Sequence, residues 1–124
     1  MNNLNDKVMI TYGLDESELE ILNLKFKDKT SRECIVVKEN MSKLKLRDIL
    51  SEKIEVDEIH EMPKEKVIIF NNFSSGAIQS AVKIVRNNLE SKPILASVTP
   101  VSINWSFKFL LEHLIKEREQ FSKK

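Results

Sequence analysis

Ile94-Leu95-Ala96-Ser97-Val98 is an apolar run that stops at Thr99-Pro100 and leads through Ser102-Ile103-Asn104-Trp105 into an amphipathic pattern. Pro100 lacks a backbone donor and pushes Thr99 towards an extended conformation, so a strand ends near Val98. Beyond Trp105, the apolar residues Phe107, Leu110, Leu111, Leu114 and Ile115 follow the i, i+3, i+4, i+7, i+8 spacing of one buried helical face. Strand, polar corner, helix is therefore the local order, and it points to an α/β fold.

The same order recurs upstream. Lys7 to Tyr12 reads as a first strand broken by Gly13, and Asp15 with Glu18 makes a capping-box start for a helix reaching Phe26 or Lys27. Arg32 to Lys38 reads as a second strand, whose nearly continuous apolar centre implies burial on both faces. A short helix over about residues 43–52 follows, with Ser42 as cap and Leu46, Ile49 and Leu50 on its apolar face. Lys53 to Lys66 is acidic and weakly patterned, which implies a surface connection pinned by Val56 and Ile59. Val67-Ile68-Ile69-Phe70 is a third strand, and the stripe Ile78, Ala81, Val82, Val85, Leu89 predicts a third helix.

Strict alternation of strands and helices implies parallel strands with helices on both faces. The expected architecture is a single α/β domain over 1–124, a three-layer sandwich with a four-stranded, mainly parallel sheet in the order 2-1-3-4. No internal sequence repeat is evident. Its 124 residues suit one core, and 20 Lys and Arg against 19 Asp and Glu leave a net charge of +1, which makes nucleic acid an unexpected partner. No apolar run approaches the roughly 20 residues of a membrane span, and the first residues lack the pattern of a signal peptide, so no membrane association and a cytoplasmic location are expected.

Tyr12-Gly13-Leu14, Val67-Ile68-Ile69-Phe70-Asn71-Asn72-Phe73-Ser74 and Ala96-Ser97-Val98-Thr99-Pro100-Val101-Ser102-Ile103-Asn104-Trp105, ahead of Leu110-Leu111-Glu112-His113-Leu114, carry a resemblance. Together they resemble the DUF3783 family, a bacterial domain of unknown function, over roughly Val67 to Glu119. In that family a glycine often precedes the Phe-Ser pair and a small polar residue often follows Thr-Pro. Here those places hold Asn72 and Val101. The resemblance implies no activity.

In an all-parallel sheet the loops leaving the strands gather at one edge, where ligands of such folds bind. Tyr12, Asn71, Ser74, Ser75, Thr99, Asn104 and Trp105 are the candidate ligand-binding residues at that edge, with helix amino ends suited to an anion. The competing reading, that these residues cap helices and shape turns, is the stronger one. Trp105 reads first as a core plug. Cys34 reads as a buried structural thiol, and His113 with Glu117 as a surface pair rather than a metal site. No glycine-rich phosphate cradle, nucleophile elbow or paired-cysteine site is present, so no cofactor and no metal are expected.

Two functions remain. The first is a binding or interaction module for a small molecule or a protein at the loop edge, or for a second copy through a sheet edge as a homodimer. The alternative is an enzyme acting on a small anion, with Tyr12 or Asp15 moving a proton.

Overall fold

Val67–Asn71 (β3) alternates Val67 and Ile69 to one face with Ile68 and Phe70 to the other, and every residue of the strand is buried. Val8–Tyr12 (β1) does the same beside it, with Val8, Ile10 and Tyr12 on the first face and Met9 on the second. A strand covered on both sides is apolar over most of its length, which is why these two runs show no regular polar alternation. The structure, a computed structural model, describes residues 4–53 and 61–122.

Ile35–Val37 (β2) and Ile94–Ser97 (β4) are the outer strands, giving the order β2-β1-β3-β4 that the sequence predicts. β1 pairs with β2, and β3 with β4, in parallel, as expected for a mainly parallel sheet. The central pair departs from strict alternation: β1 and β3 run antiparallel, with Val8 opposite Asn71, Ile10 opposite Ile69 and Tyr12 opposite Val67. Alternating elements impose a parallel crossover only where a strand, a helix and the next strand form one closed unit. The long path from β2 to β3 is free to deliver β3 in either direction.

Helices Glu16–Lys25 (α1) and Ser75–Asn88 (α3) cover one face, where Leu22, Phe26, Ala81, Val85 and Leu89 pack on Met9, Ile68 and Phe70. Helices Leu46–Leu50 (α2) and Phe107–Ser122 (α4) cover the other, bringing Leu46, Ile49, Leu50, Phe107, Leu110 and Leu111 onto Val8, Ile10, Val67 and Ile69. Three sequence expectations need correction. β2 is short and at an edge, so Val36 is exposed rather than covered on both sides. Leu95 of β4 and the following Val98 are only partly buried, because β4 is the other edge. Ser42 does not cap α2, whose cap position is Lys45 with no side-chain bond; Ser42 is buried and its carbonyl accepts Lys108 N–H instead. The expected anchors Val56 and Ile59 lie outside the described residues, whereas Met62 is buried in the α2–α4 core.

The antiparallel centre has a consequence that the sequence hides. The chain is two successive βαβα units, each with a 3-10 turn before its last helix, at Glu39–Met41 and Ser102–Asn104. β1–α1 maps onto β3–α3 at a constant offset of 59 positions: Ile10 to Ile69, Gly13 to Asn72, and the cap Asp15 to the cap Ser74. β2–α2 maps onto β4–α4 at an offset of 61: Ile35 to Ala96, Met41 to Ser102, and Lys45 to Ser106. Ile10 pairs with its own equivalent Ile69, and Lys45 bridges its own equivalent Ser106. Both pairs lie on one pseudo-two-fold axis through the sheet. Reciprocal bonds flank it, Leu46 N–H to Trp105 O at 3.1 Å and Phe107 N–H to Leu44 O at 2.9 Å.

Candidate functional site

Opposed central strands cannot send their loops to one edge, so the expected cluster of candidate residues divides in two. Tyr12 ends β1 at one edge, while Asn71 ends β3 at the other, opposite Val8. Because Val98 N–H bonds Phe70 O, the Thr99 corner leaves β4 at the Asn71 edge.

At the Tyr12 edge the polar groups are committed to one another. The Tyr12 side chain is buried against Phe107, ring centroids 5.6 Å apart, and burial, then the charge of Glu39, raises its phenol above the ordinary value. Gly13 follows with φ +81°, and a Cβ there would stand 2.3 Å from Glu65 O, so no side chain fits. Asp15 accepts from Glu18 N–H at 2.8 Å and Glu18 Oε1 accepts from Asp15 N–H at 3.1 Å, the capping box expected from sequence. Glu18 does more than cap, because Lys66 Nζ donates to its Oε1 at 2.7 Å and the Ser91 hydroxyl donates to its Oε2. Burial raises the Glu18 carboxyl, but these bonds and the Lys66 charge outweigh it and hold the group below its usual range. The Asp15 carboxyl is likewise held low, chiefly by the Glu18 amide and the Ser17 hydroxyl. A buried phenol with a raised pKa and a carboxylate with a lowered one are both poorly matched to proton transfer near neutrality.

At the Asn71 edge the pattern repeats. Asn71 is buried and its Nδ2 donates to Leu4 O at 2.9 Å and to Asp6 O at 2.7 Å, tying down the segment that leads into β1. Asn72, the counterpart of Gly13, adopts φ +60° and donates to Asn5 O at 2.6 Å. Asparagine is among the few residues that tolerate that left-handed backbone. The Ser74 hydroxyl caps α3 by accepting Ala77 N–H at 3.2 Å, and Ser75 opens the helix in solvent.

The Thr99 corner is closed by a reciprocal pair: Thr99 N–H donates to Ser102 Oγ at 3.0 Å, and Ser102 N–H to Thr99 Oγ1 at 2.9 Å. Its counterpart in the first unit is Lys38 N–H on Met41 Sδ at 3.4 Å, the same turn drawn with different side chains. The amino end of α4 is occupied by the chain itself, since Phe107 N–H, Lys108 N–H and Phe109 N–H go to Leu44 O, Ser42 O and Ser106 Oγ. Ser106 is thus the cap, and Asn104 stands exposed.

Trp105, at the position of Leu44 in the first unit, packs against the α2–α4 core and is only partly buried. Phe107, fully buried, is the plug that the sequence assigned to Trp105. The Trp105 ring makes edge contacts with Phe109 at 4.8 Å and with His113 at 5.2 Å, and Phe109 is 52% exposed. Phe109, Glu112, His113 and Lys116 line a recess of about 220 Å³ on the outer face of α4. Periodicity alone places Phe109 off the buried stripe, so the signal for this surface was present in the sequence; the ion-pair role of Glu18 had none. His113 Nε2 meets Glu117 Oε1 at 2.9 Å. Among the described residues no group of three His, Cys, Asp or Glu is placed to hold a metal. Cys34 is partly rather than fully buried, packed beside the α1–α3 core, and that burial pushes its thiol up to about 11, away from reactive thiolate character. No helix in the described residues is long and apolar enough to cross a membrane.

Fold and surface together define a small α/β protein of two pseudo-symmetric βαβα units, distinguished by an exposed aromatic face on its last helix. Residues 66–121 match the model of DUF3783, a domain of unknown function, in agreement with the resemblance seen in the sequence. No curated protein and no solved structure matches the chain. The matched segment begins one residue before β3 and runs to the last turn of α4, so it coincides with the second βαβα unit.

Proposed function

We propose that this protein is a protein-interaction module whose contact surface is the outer face of α4, centred on Trp105, Phe109 and His113. The observation that carries this reading is the exposed Phe109 ring, flanked by Trp105 and beside an open recess. The two halves being near-equivalent, a feature present in only one of them asks for a reason beyond folding. α2 is 5 residues long and carries Asp48 where α4, 16 residues long, carries Phe109. A large aromatic left half exposed costs solubility, whereas aromatic residues are enriched where partners dock. The expected loop-edge ligand site has less support, because Asn71, Ser74 and Thr99 are used by caps and turns and Tyr12 belongs to the other edge.

A photo-crosslinking amino acid placed at Phe109 in the full chain, in its own cells, tests the reading, with the same group at Leu24, 71% exposed on α1, as control. Discrete protein adducts from position 109 and not from 24 support it. No adduct from 109, or the same adducts from both positions, contradicts it.

A further inference from the structure

The four residues lining the α4 recess are spaced i, i+3, i+4 and i+7, so they form one continuous stripe along the outer face of the helix. From these residues we infer that the partner of this face is a second copy of the same chain, packed with its α4 antiparallel to the first. The inference rests on the reading of this face as a contact surface, and it adds the identity of the occupant.

Self-complementarity carries it. A two-fold axis through the recess sets position 109 level with 116 of the second copy, and 112 level with 113. Phe109 then meets the stem and ammonium of Lys116, and Glu112 meets the imidazole of His113, each contact occurring twice. Aromatic faces cation and acid faces base. A parallel pairing would instead set Glu112 on Glu112 and Lys116 on Lys116, opposing like charges across a partly desolvated contact. Trp105, already in edge contact with Phe109, extends the apolar part at each end of the pair. One helix face is a small interface, so the association expected is weak and concentration-dependent.

Sedimentation of the full chain from about 10 µM to about 500 µM reads this directly, since a weak two-fold contact populates the dimer only at the upper end. Expected is a shift from the mass of one chain to that of two, lost in Phe109→Glu with at least about a tenfold weaker dissociation constant. Lys116→Glu is the second variant, on an exposed side chain, and should weaken the dimer as well. An unchanged thermal midpoint shows that each variant is folded. A chain that stays single throughout overturns the second copy as occupant; crosslinks from position 109 to another protein would then leave the contact surface itself standing. A dimer untouched by both folded variants also overturns the inference, because the copies then meet elsewhere.

Discussion

Gly13 and Gly76 are the only two glycines, and opposite outcomes are expected on adding a methyl to each. At Gly13 the backbone is left-handed and Glu65 O stands where the Cβ would go, so Gly13→Ala should destabilise by roughly 2 kcal/mol. Gly76 sits in the first turn of α3 with nothing within 4 Å of a new Cβ, so Gly76→Ala should stabilise by about 0.5–1 kcal/mol. Urea unfolding of the two variants separates these signs. Glu18 makes the second residue-scale case, as it joins α1 to Lys66 ahead of β3 and to Ser91 ahead of β4. Removing it leaves the Asp15 amide and the Ser91 hydroxyl without this acceptor and turns the partly exposed Lys66 to water, and Glu18→Ala should cost about 1–2 kcal/mol. The capping half of this role follows from the Asp15–Glu18 spacing. The ion pair joins residues far apart in the chain, so no local pattern announces it.

For α4 the division of labour between cap, plug and surface ring gives a graded series. Ser106→Ala should cost about 1 kcal/mol by losing the bond to Phe109 N–H, while Asn104→Ala should leave the unfolding midpoint unchanged. Phe107→Ala should cost about 3–5 kcal/mol, and Trp105→Ala, at a half-covered site, only about 1–2 kcal/mol. A larger loss at Trp105 than at Phe107 would restore the Trp to the plug role. Periodicity made this helix and its buried stripe legible. It could not rank two adjacent aromatics, because which ring turns inward depends on where the preceding 3-10 turn sets the helix on the sheet. α2 was legible as a short helix but not in its bounds: its starting residue lies beside the Lys45–Ser106 bridge, a contact between halves that local spacing does not contain.

Across the whole molecule, acid should loosen the fold. The Glu18, Glu65 and Asp15 carboxyls all lie below their usual values in the folded chain: Glu18 through Lys66 and Ser91 against burial, Glu65 through Arg118, and Asp15 through the Glu18 amide. A depressed folded pKa contributes stability that is fully present above the unfolded value, about 4 for carboxylates, and is lost as pH falls through the folded one. The urea midpoint should therefore be level near neutrality and drop below about pH 4, and less steeply in Glu18→Gln. A midpoint flat down to pH 3 would contradict this.

The burial of both sheet faces was readable because β1 and β3 are apolar at most positions, with Thr11 and Asn71 as their buried polar exceptions. The two-fold repeat was not. Its first half aligns at an offset of 59 and its second at 61, so no single offset superposes the units, and matched positions such as Gly13 with Asn72 or Met41 with Ser102 share backbone shape rather than side-chain type. That repeat and the split of the loops between two edges both depend on the antiparallel meeting of β1 and β3. Interstrand nuclear Overhauser contacts in the labelled full chain test it most directly. Contacts are expected between Val8 and Asn71, Ile10 and Ile69, and Tyr12 and Val67. Contacts pairing Val8 with Val67 and Tyr12 with Asn71 would mean parallel strands and would contradict it.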